Sequence, residues 1–360
     1  MRALFLAPYQ LGRSPSQRFR FEQWLRLLPA GAIDAEVRPL FAEGVYDWIF
    51  ESGRPLRKVL HTGTGLARRL GEALSAGRYD VVFVHRRSFP LGPPVLERLA
   101  SHRTPLVYDF DDAIFLSDTS EANRAIAPLK RPASVAEIVG HATLTTVGNE
   151  WLASYARRFS PNVTVLPTTV DIEEYTPAPR PRSELVRIGW SGSLTTSRHL
   201  RTVADALRRM LKELPVELVV MGDPGYTLEG APRVTALRWT PATEVDVLRS
   251  FDIGIMPLPD DDWSRGKCGL KALLYMAVGV PTVASPVGVN PDIISDGENG
   301  LLASTDEEWF DAIARLVEDE AFAKRLGAAG RETVEQRYSG QAWAPRFLEA
   351  LERAADARSF

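Results

Sequence analysis

Short β-rich runs alternate with stretches of helical periodicity along the whole chain, and the alternation stops at one proline-rich break and then restarts. This is the pattern of parallel sheets covered by helices on both faces. Before the break, strands are expected at Ala3–Ala7, Ala35–Leu40, Val81–His85, Leu106–Tyr108, Leu144–Val147 and Val163–Leu166. Helices such as Ser16–Leu28, Leu56–Ser75 and Glu150–Phe159 lie between them. The run Val81–Val84 is apolar on both faces, as a buried parallel strand requires. The break is TPAPRPRSE, Thr176–Glu184, whose three prolines make a semi-rigid linker. After it, strands are expected at Val186–Trp190, Glu217–Met221, Val234–Leu237, Ile253–Met256 and Thr282–Ala284. The helices there are Arg198–Leu211, Ala242–Phe251, Lys267–Val278, Glu307–Glu318 and Glu320–Arg337. A last helix, Gln341–Ala355, has no strand after it and is expected to pack across the domain junction.

The expected fold is therefore α/β, with two Rossmann-like domains whose parallel sheets face a central cleft. Residues 1–170 form the first domain, 171–184 the linker, 185–340 the second domain and 341–360 the terminal helix. A chain of 360 residues fits two such cores better than one. No run approaches the roughly 18 apolar residues of a membrane span. The opening MRALFLAPYQ reads as a first strand rather than a signal peptide. Cys268 is the only cysteine, which excludes a disulfide framework and a Cys-based zinc site and points to the cytoplasm.

Ligands of open parallel sheets sit at the carboxyl ends of the strands, where helix N-termini converge. In the second half, Ile188–Leu200 runs from a strand through Gly192 into a helix start. Gly192 would admit a ligand close to the backbone, Ser193 and Thr195 add hydroxyls, and N–H groups at the helix start would hold a phosphate. Arg198 in the first turn opposes the helix dipole, which an anion would explain; simple capping is the alternative for the hydroxyls. In Ile255–Gly279, Gly266–Lys267–Cys268–Gly269 opens a helix. A lysine at a helix N-terminus is electrostatically unfavourable unless an anion lies between, which singles out Lys267 as a diphosphate ligand. Lys271, one turn on, is either a second contact or a solvated lysine. In Val283–Ala303, Ser285, Gly288 and Asn290 form a turn able to present N–H groups.

In the first half, Gly12 and Ser14–Ser16 form a flexible polar loop, and Arg18 and Arg20 open the following helix. Those arginines bind phosphate or an anionic acceptor, or are ordinary surface residues. His85, Arg86 and Arg87 stand at one strand end, and Asp109, Asp111 and Asp112 at the next. Three carboxylates in four positions need a compensating partner, and they either orient an acceptor hydroxyl or pair with Arg86, Arg87 and Arg18.

The second half resembles the donor-binding domain of glycosyltransferase family 4, a family with the GT-B fold. The resemblance rests on an ordered run from Asp252 to Leu302: DIGIMPL, the lysine–glycine loop, YMAVGVPTVASPVGVNPDII and DGENGLL. It implies a retaining, metal-independent glycosyltransferase of hexosyltransferase type, without a bound cofactor, acting in cell-surface polysaccharide or glycoconjugate synthesis. The implied partners are a nucleotide-diphosphate sugar as donor and a glycan or lipid-linked acceptor, with no nucleic acid. Gly12 would then lie over the diphosphate, which Gly192, Ser193, Thr195, Lys267, Cys268, Gly269, Lys271, Ser285 and Gly288 would cradle. Lys267 and Arg198 would stabilise the charge that develops on it, and His85, Asp109 and Asp111 would stand near the reacting sugar. Arg18, Arg20, Arg86, Arg87 and Asp112 would face the acceptor. The family usually carries two glutamates around the lysine–glycine helix; Gly266 and Leu274 stand in their places, and Leu274 cannot bond a ribose.

Other readings are weaker. Asp109–Phe110–Asp111 has the spacing of a haloacid-dehalogenase phosphatase nucleophile, but leaves the second half unexplained. The first strand leads into Leu11–Gly12–Arg13, not the glycine fingerprint of a nicotinamide enzyme. A GT-B fold kept only for binding is the reading that Leu274 motivates.

Charge is unevenly spread. Residues 1–170 hold 21 Lys and Arg against 16 Asp and Glu, a net of +5, while the remainder carries −8. Arg54, Arg57, Lys58, Arg68 and Arg69 are interleaved with Leu56, Leu60, Leu66 and Leu70. Either the leucines of this stretch face the core and the arginines water, or the helix lies on an anionic surface as a peripheral membrane contact at the inner face of the membrane.

Overall fold

The structure, a computed structural model, describes residues 1–45, 48, 55–116, 131–179 and 184–357. It divides into two compact units, Met1–Pro167 with Gln341–Phe360, and Thr168–Gly340. Of the proline-rich break, residues 180–183 lie outside the described residues, as does Arg54.

The first unit is built on six strands: β1 (Arg2–Ala7), β2 (Asp34–Pro39), β3 (Val81–His85), β4 (Leu106–Phe110), β5 (Leu144–Val147) and β6 (Val163–Val165). They are all parallel and run in the order β2-β1-β3-β4-β5-β6. The register sets His85 directly beside Asp109, so the two strand ends deliver their polar residues to one place. β3 and β4 are buried along their whole length, as strands covered on both faces must be. The terminal helix, Gly340–Asp356, belongs to this unit. Its Ala344, Phe347, Ala350 and Leu351 join Phe5, Phe21, Trp24 and Phe83 in one core cluster, with the Trp24 and Phe347 rings 5.0 Å apart.

The second unit has the same plan: β7 (Val186–Ser191), β8 (Val216–Met221), β9 (Val234–Leu237), β10 (Ile253–Met256), β11 (Thr282–Ala284) and β12 (Leu301–Leu302). These strands are parallel, in the order β12-β11-β10-β7-β8-β9. Ile188, Trp190, Leu218, Val220, Ile253 and Ile255 supply the sheet side of its core, and Trp309 and Ile313 of the helix Asp306–Glu318 pack against them. That helix starts at a capping box in which the Thr305 hydroxyl accepts from the Glu308 N–H and the Glu308 carboxylate accepts from the Thr305 N–H.

Two elements depart from the sequence expectation. The first helix is not continuous: Pro15–Gln17 passes into a π turn, Arg18–Glu22, and then into Gln23–Leu27, with Arg20 at φ −109° and ψ −115°. The helix Pro55–Leu74 turns its apolar side outward. Val59, Leu60, Leu66, Leu70 and Leu74 are exposed, while Arg69 is fully buried. Arg69 donates to the Ser88 and Ala7 carbonyls at 2.9 and 2.6 Å and to the Glu72 carboxylate at 2.5 Å, which makes an arginine acceptable inside. The alternative in which the leucines face the core is thereby corrected for Leu60, Leu66 and Leu70; the side chain of Leu56 lies outside the described residues. Among the described residues no helix is long and apolar enough to cross a membrane.

Candidate functional site

In the second unit the loops after β7 and β8 are locked together by packing. A Cβ on Gly222 would stand 2.0 Å from the Gly192 carbonyl oxygen, and its φ of +107° suits only glycine. A Cβ on Gly192 would meet the Trp190 indole at 2.3 Å and the Thr196 hydroxyl at 2.8 Å. Close packing within the loop therefore accounts for Gly192, which the sequence assigned to ligand approach. Ser193 and Thr195 are exposed, with their hydroxyls 3.0 Å apart. Arg198 lies, as expected, in the first turn of the helical segment, which is a 3-10 turn, Ser197–Val203.

The lysine loop is built differently from the single helix that was expected. A short helix, Asp262–Arg265, comes first, capped by Asp261, whose carboxylate accepts from the Ser264 N–H. The chain then breaks at Gly269, with φ +72°, and the main helix is Leu270–Ala277. Lys267 thus precedes the helix, and it is Lys271 that stands in its first turn. The dipole argument made for Lys267 passes to Lys271. Both ammonium groups lie near aromatic faces, Lys267 5.2 Å from the Trp263 ring and Lys271 5.4 Å from that of Trp190. Cys268 and Gly269 complete the link, and a Cβ on Gly269 would strike Ile293 at 2.3 Å. Ser285 is buried and its hydroxyl accepts from the Leu258 N–H at 3.0 Å. A Cβ on Gly288, at φ +62°, would stand 3.0 and 3.1 Å from the Ser264 and Arg265 carbonyl oxygens.

One further residue of this region was not singled out by the sequence reading. His199 is only 4% exposed, and its Nδ1 has no hydrogen-bond partner. Burial, then the positive charges of Lys271, Lys267 and Arg198, push its pKa from 6.5 down to about 4. Three cations from two loops therefore act on one neutral imidazole. Ser264 Oγ and Asn290 Oδ1, also buried, are likewise without partners. The Ser264 hydroxyl can donate to an anion, whereas Asn290 Oδ1 can only accept and suits a hydroxyl or N–H of a ligand. Leu274 is 4% exposed, a core residue of the Leu270–Ala277 helix.

In the first unit, the polar strand ends are matched to one another. Arg20 is drawn inward by the π turn and pairs with Asp109, both side chains being fully buried. Arg20 also donates to the Leu166 carbonyl. Asp109 further accepts from Thr146 at 2.7 Å and from His85 Nδ1–H at 2.8 Å. Arg86, at φ +59°, donates through Nε to Asp111 at 3.0 Å and through Nη2 to Asp112. Burial raises the Asp111 carboxyl, but Arg86 and His85 more than reverse this and hold it well below the usual carboxylate range. Asp109 is likewise held low, chiefly by Arg20 against the effect of burial.

These pairings correct several expectations. Arg20 and Asp109 are fully buried and paired with each other, so neither is the open surface residue that the sequence offered to an acceptor. Arg87 turns away from the aspartates to the Gly92 carbonyl at 2.9 Å. Gly12 spends its N–H on the Glu22 carboxylate at 2.9 Å, and burial holds the Glu22 pKa above its ordinary value. Arg18 lies 5.0 Å from the Phe19 ring centroid. The half-buried Ser16 bridges the two sets, its hydroxyl 2.9 Å from His85 Nε2 and donating to Asp111 at 2.7 Å.

Two Rossmann-like units with polar residues at their carboxyl strand ends define a GT-B architecture. The family described as Glycosyl transferases group 1 matches residues 186–319. The D-inositol 3-phosphate glycosyltransferase of Arthrobacter sp. strain FB24 is 25% identical over 332 residues, covering 84% of this chain and 77% of its own. That of Stackebrandtia nassauensis is 30% identical over 226 residues, covering 54% of this chain and 49% of its own. The fold is shared with HepE of Anabaena, solved in complex with UDP-glucose, at a TM-score of 0.71 and 17% identity over 98% of this chain and 100% of that one. Residues 186–319 match the group 1 glycosyl transferase domain, and the chain is a glycosyltransferase.

Proposed function

We propose that this glycosyltransferase takes its sugar from a nucleoside-diphosphate donor held at the carboxyl edge of the second sheet. The observation that carries this is the placement of Lys267 and Lys271 at the start of the Leu270–Ala277 helix and of Arg198 in the first turn of Ser197–Val203, three cations whose charge adds to burial in lowering the His199 pKa. In this reading the diphosphate sits among the three cations, and their charge stabilises the negative charge that develops as the sugar–phosphate bond breaks. The departing phosphate oxygen takes the acceptor's proton, so the transfer needs no protein base and no metal, and it retains the donor's anomeric configuration. The relatives named for D-inositol 3-phosphate support an acceptor hydroxyl on a polar, charged compound. A glycan or lipid-linked acceptor in cell-surface glycoconjugate synthesis fits the basic first half, with the enzyme in the cytoplasm and in peripheral contact with the inner face of the membrane. In the first unit, Ser16, His85 and Asp111 supply the polar groups that would meet the acceptor.

The test is product stereochemistry. With the donor and acceptor that support turnover, proton NMR in the presence of EDTA is expected to show a product with the donor's anomeric configuration. An inverted product, or loss of turnover with EDTA, would overturn the retaining, metal-free mechanism.

A further inference from the structure

Nine large apolar side chains are exposed among the described residues, and five of them lie on the single helix Pro55–Leu74: Val59, Leu60, Leu66, Leu70 and Leu74, at 71, 63, 43, 45 and 48% exposure. At 100° per residue these five fall within one stripe, which Gly63 and Ala67, also exposed, fill without interruption. The buried side, with Gly65, Arg69 and Ala73, adjoins one edge of the stripe, and the exposed Arg57 and Arg68 lie beyond its other edge. An amphipathic helix between two strands ordinarily buries its apolar stripe; this one presents it to solvent.

The charge around the stripe has one sign. From Pro55 to Arg78 the chain carries Arg57, Lys58, Arg68, Arg69 and Arg78 against a single acid, Glu72, which pairs with the buried Arg69 and, at 3.8 Å, with Arg68; Arg68 also donates to the Pro39 and Leu40 carbonyls. Arg57, Arg68 and Arg78 are exposed. Near the start of the helix, Trp48 packs against His61 with ring centroids 5.2 Å apart, and the Arg57 guanidinium lies 5.5 Å from the Trp48 ring. Near its end, a depression of about 290 Å³ is lined by Gly71, Leu74, Ser75, Gly77 and Arg78, which sets a guanidinium beside an exposed leucine. A leucine stripe flanked by arginines with almost no acid is the composition of a helix that lies in the plane of an anionic bilayer.

We infer that the Pro55–Leu74 helix is a membrane-docking element that seats Val59, Leu60, Leu66, Leu70 and Leu74 among the acyl chains of an anionic phospholipid surface, with Arg57, Arg68 and Arg78 at the headgroup phosphates. This rests on, and gives a location to, the peripheral contact in the proposed function. The stripe supplies insertion and the arginines supply selectivity for anionic lipid, so binding depends on both.

The test is co-sedimentation of the full chain with vesicles of phosphatidylcholine alone or mixed with phosphatidylglycerol, at low and physiological salt. The protein is expected to sediment with the mixed vesicles at both salts, more strongly at low salt, and hardly with phosphatidylcholine alone. The exposed double variant L66D/L70D is expected to lose at least about tenfold in vesicle affinity, a difference of about 1.4 kcal/mol. The milder variant L60S/L74S, checked for fold by circular dichroism, should show a smaller loss in the same direction. Failure of the wild type to bind mixed vesicles would overturn the inference, as would equal binding by L66D/L70D. A chain that self-associates through this face, with no vesicle binding and dissociation of L66D/L70D to monomer, would also overturn it. Nucleoside-diphosphate binding, measured on the same samples, is expected to be unchanged in both variants, so a failed membrane contact leaves the transferase reading standing and the reverse.

Discussion

Arg20 and Asp109 form an ion pair with both side chains fully buried at the end of the first sheet, joined by His85 and Thr146 on the same carboxylate. Removing one partner strands a charge in the interior, which typically costs about 3–5 kcal/mol. Asp109→Ala and Arg20→Ala are each expected to lower the urea midpoint by a corresponding amount. A surface role in acceptor binding predicts something different: an unchanged midpoint with a raised KM.

Lys271 occupies the first turn of its helix and ranks ahead of Lys267 in its effect on His199. Charge-assisted contacts to phosphate contribute about 1.5–3 kcal/mol each. Calorimetric titration with a nucleoside diphosphate should therefore show about tenfold or greater weakening for Lys267→Ala, and at least as much for Lys271→Ala. Wild-type affinity in both variants would remove the cradle from this loop.

Leu274 is 4% exposed, so a carboxylate there would be placed in the core and not on an open ribose site. Leu274→Glu is expected to destabilise the fold by at least about 2 kcal/mol and to leave nucleotide affinity unimproved. Tighter nucleotide binding by this variant would mean that the position opens onto the donor after all.

His199 titrates near 4 in the folded chain against 6.5 ordinarily. Between those values the unfolded chain binds the proton and the folded chain does not. The contribution of His199 is therefore intact above pH 6.5 and falls away as pH drops towards 4, by at most about 3 kcal/mol. Thermal melts of wild type and His199→Gln should diverge in this window, the wild type losing more on acidification. A bound diphosphate would offset the neighbouring cations and raise the His199 pKa, so donor binding should take up a proton below pH 6.5. Calorimetry at pH 5.5 in buffers of different ionisation enthalpy reads this directly, and zero uptake would place the diphosphate away from His199.

The strands were legible from sequence because a parallel strand covered on both faces is a run of apolar residues, as Val81–His85 and Ile253–Met256 are. The strand ends, and hence the polar loops that follow them, were legible for the same reason. The partners of the polar residues were not. Nothing local to Arg20 announces a π turn, so an arginine at a helix start reads as surface when it lies inside against Asp109. Periodicity shows that Pro55–Leu74 has an apolar stripe but not which way the stripe points; Arg69, buried among carbonyls, decides that. Gly269 breaks a run that reads as one helix from Lys267, and this exchanges the roles of the two lysines. His199 carries no motif, and only its burial and the charges of Lys271 and Lys267 from another loop, with its neighbour Arg198, make it conspicuous.

The central claim is that the second unit holds a nucleoside-diphosphate sugar on Lys267, Lys271 and Arg198. The most direct test is a thermal-shift titration of the wild type and the double variant K267A/K271A with UDP-, GDP-, ADP- and dTDP-sugars, followed by assay of released nucleoside diphosphate. Ligand at about 100 times its Kd stabilises a fold by about 2.7 kcal/mol. The account predicts a shift of that order for the wild type with one of the four nucleotides, release of the same nucleoside diphosphate, and loss of both in the double variant. No shift with any of the four, or an undiminished shift in K267A/K271A, would contradict it.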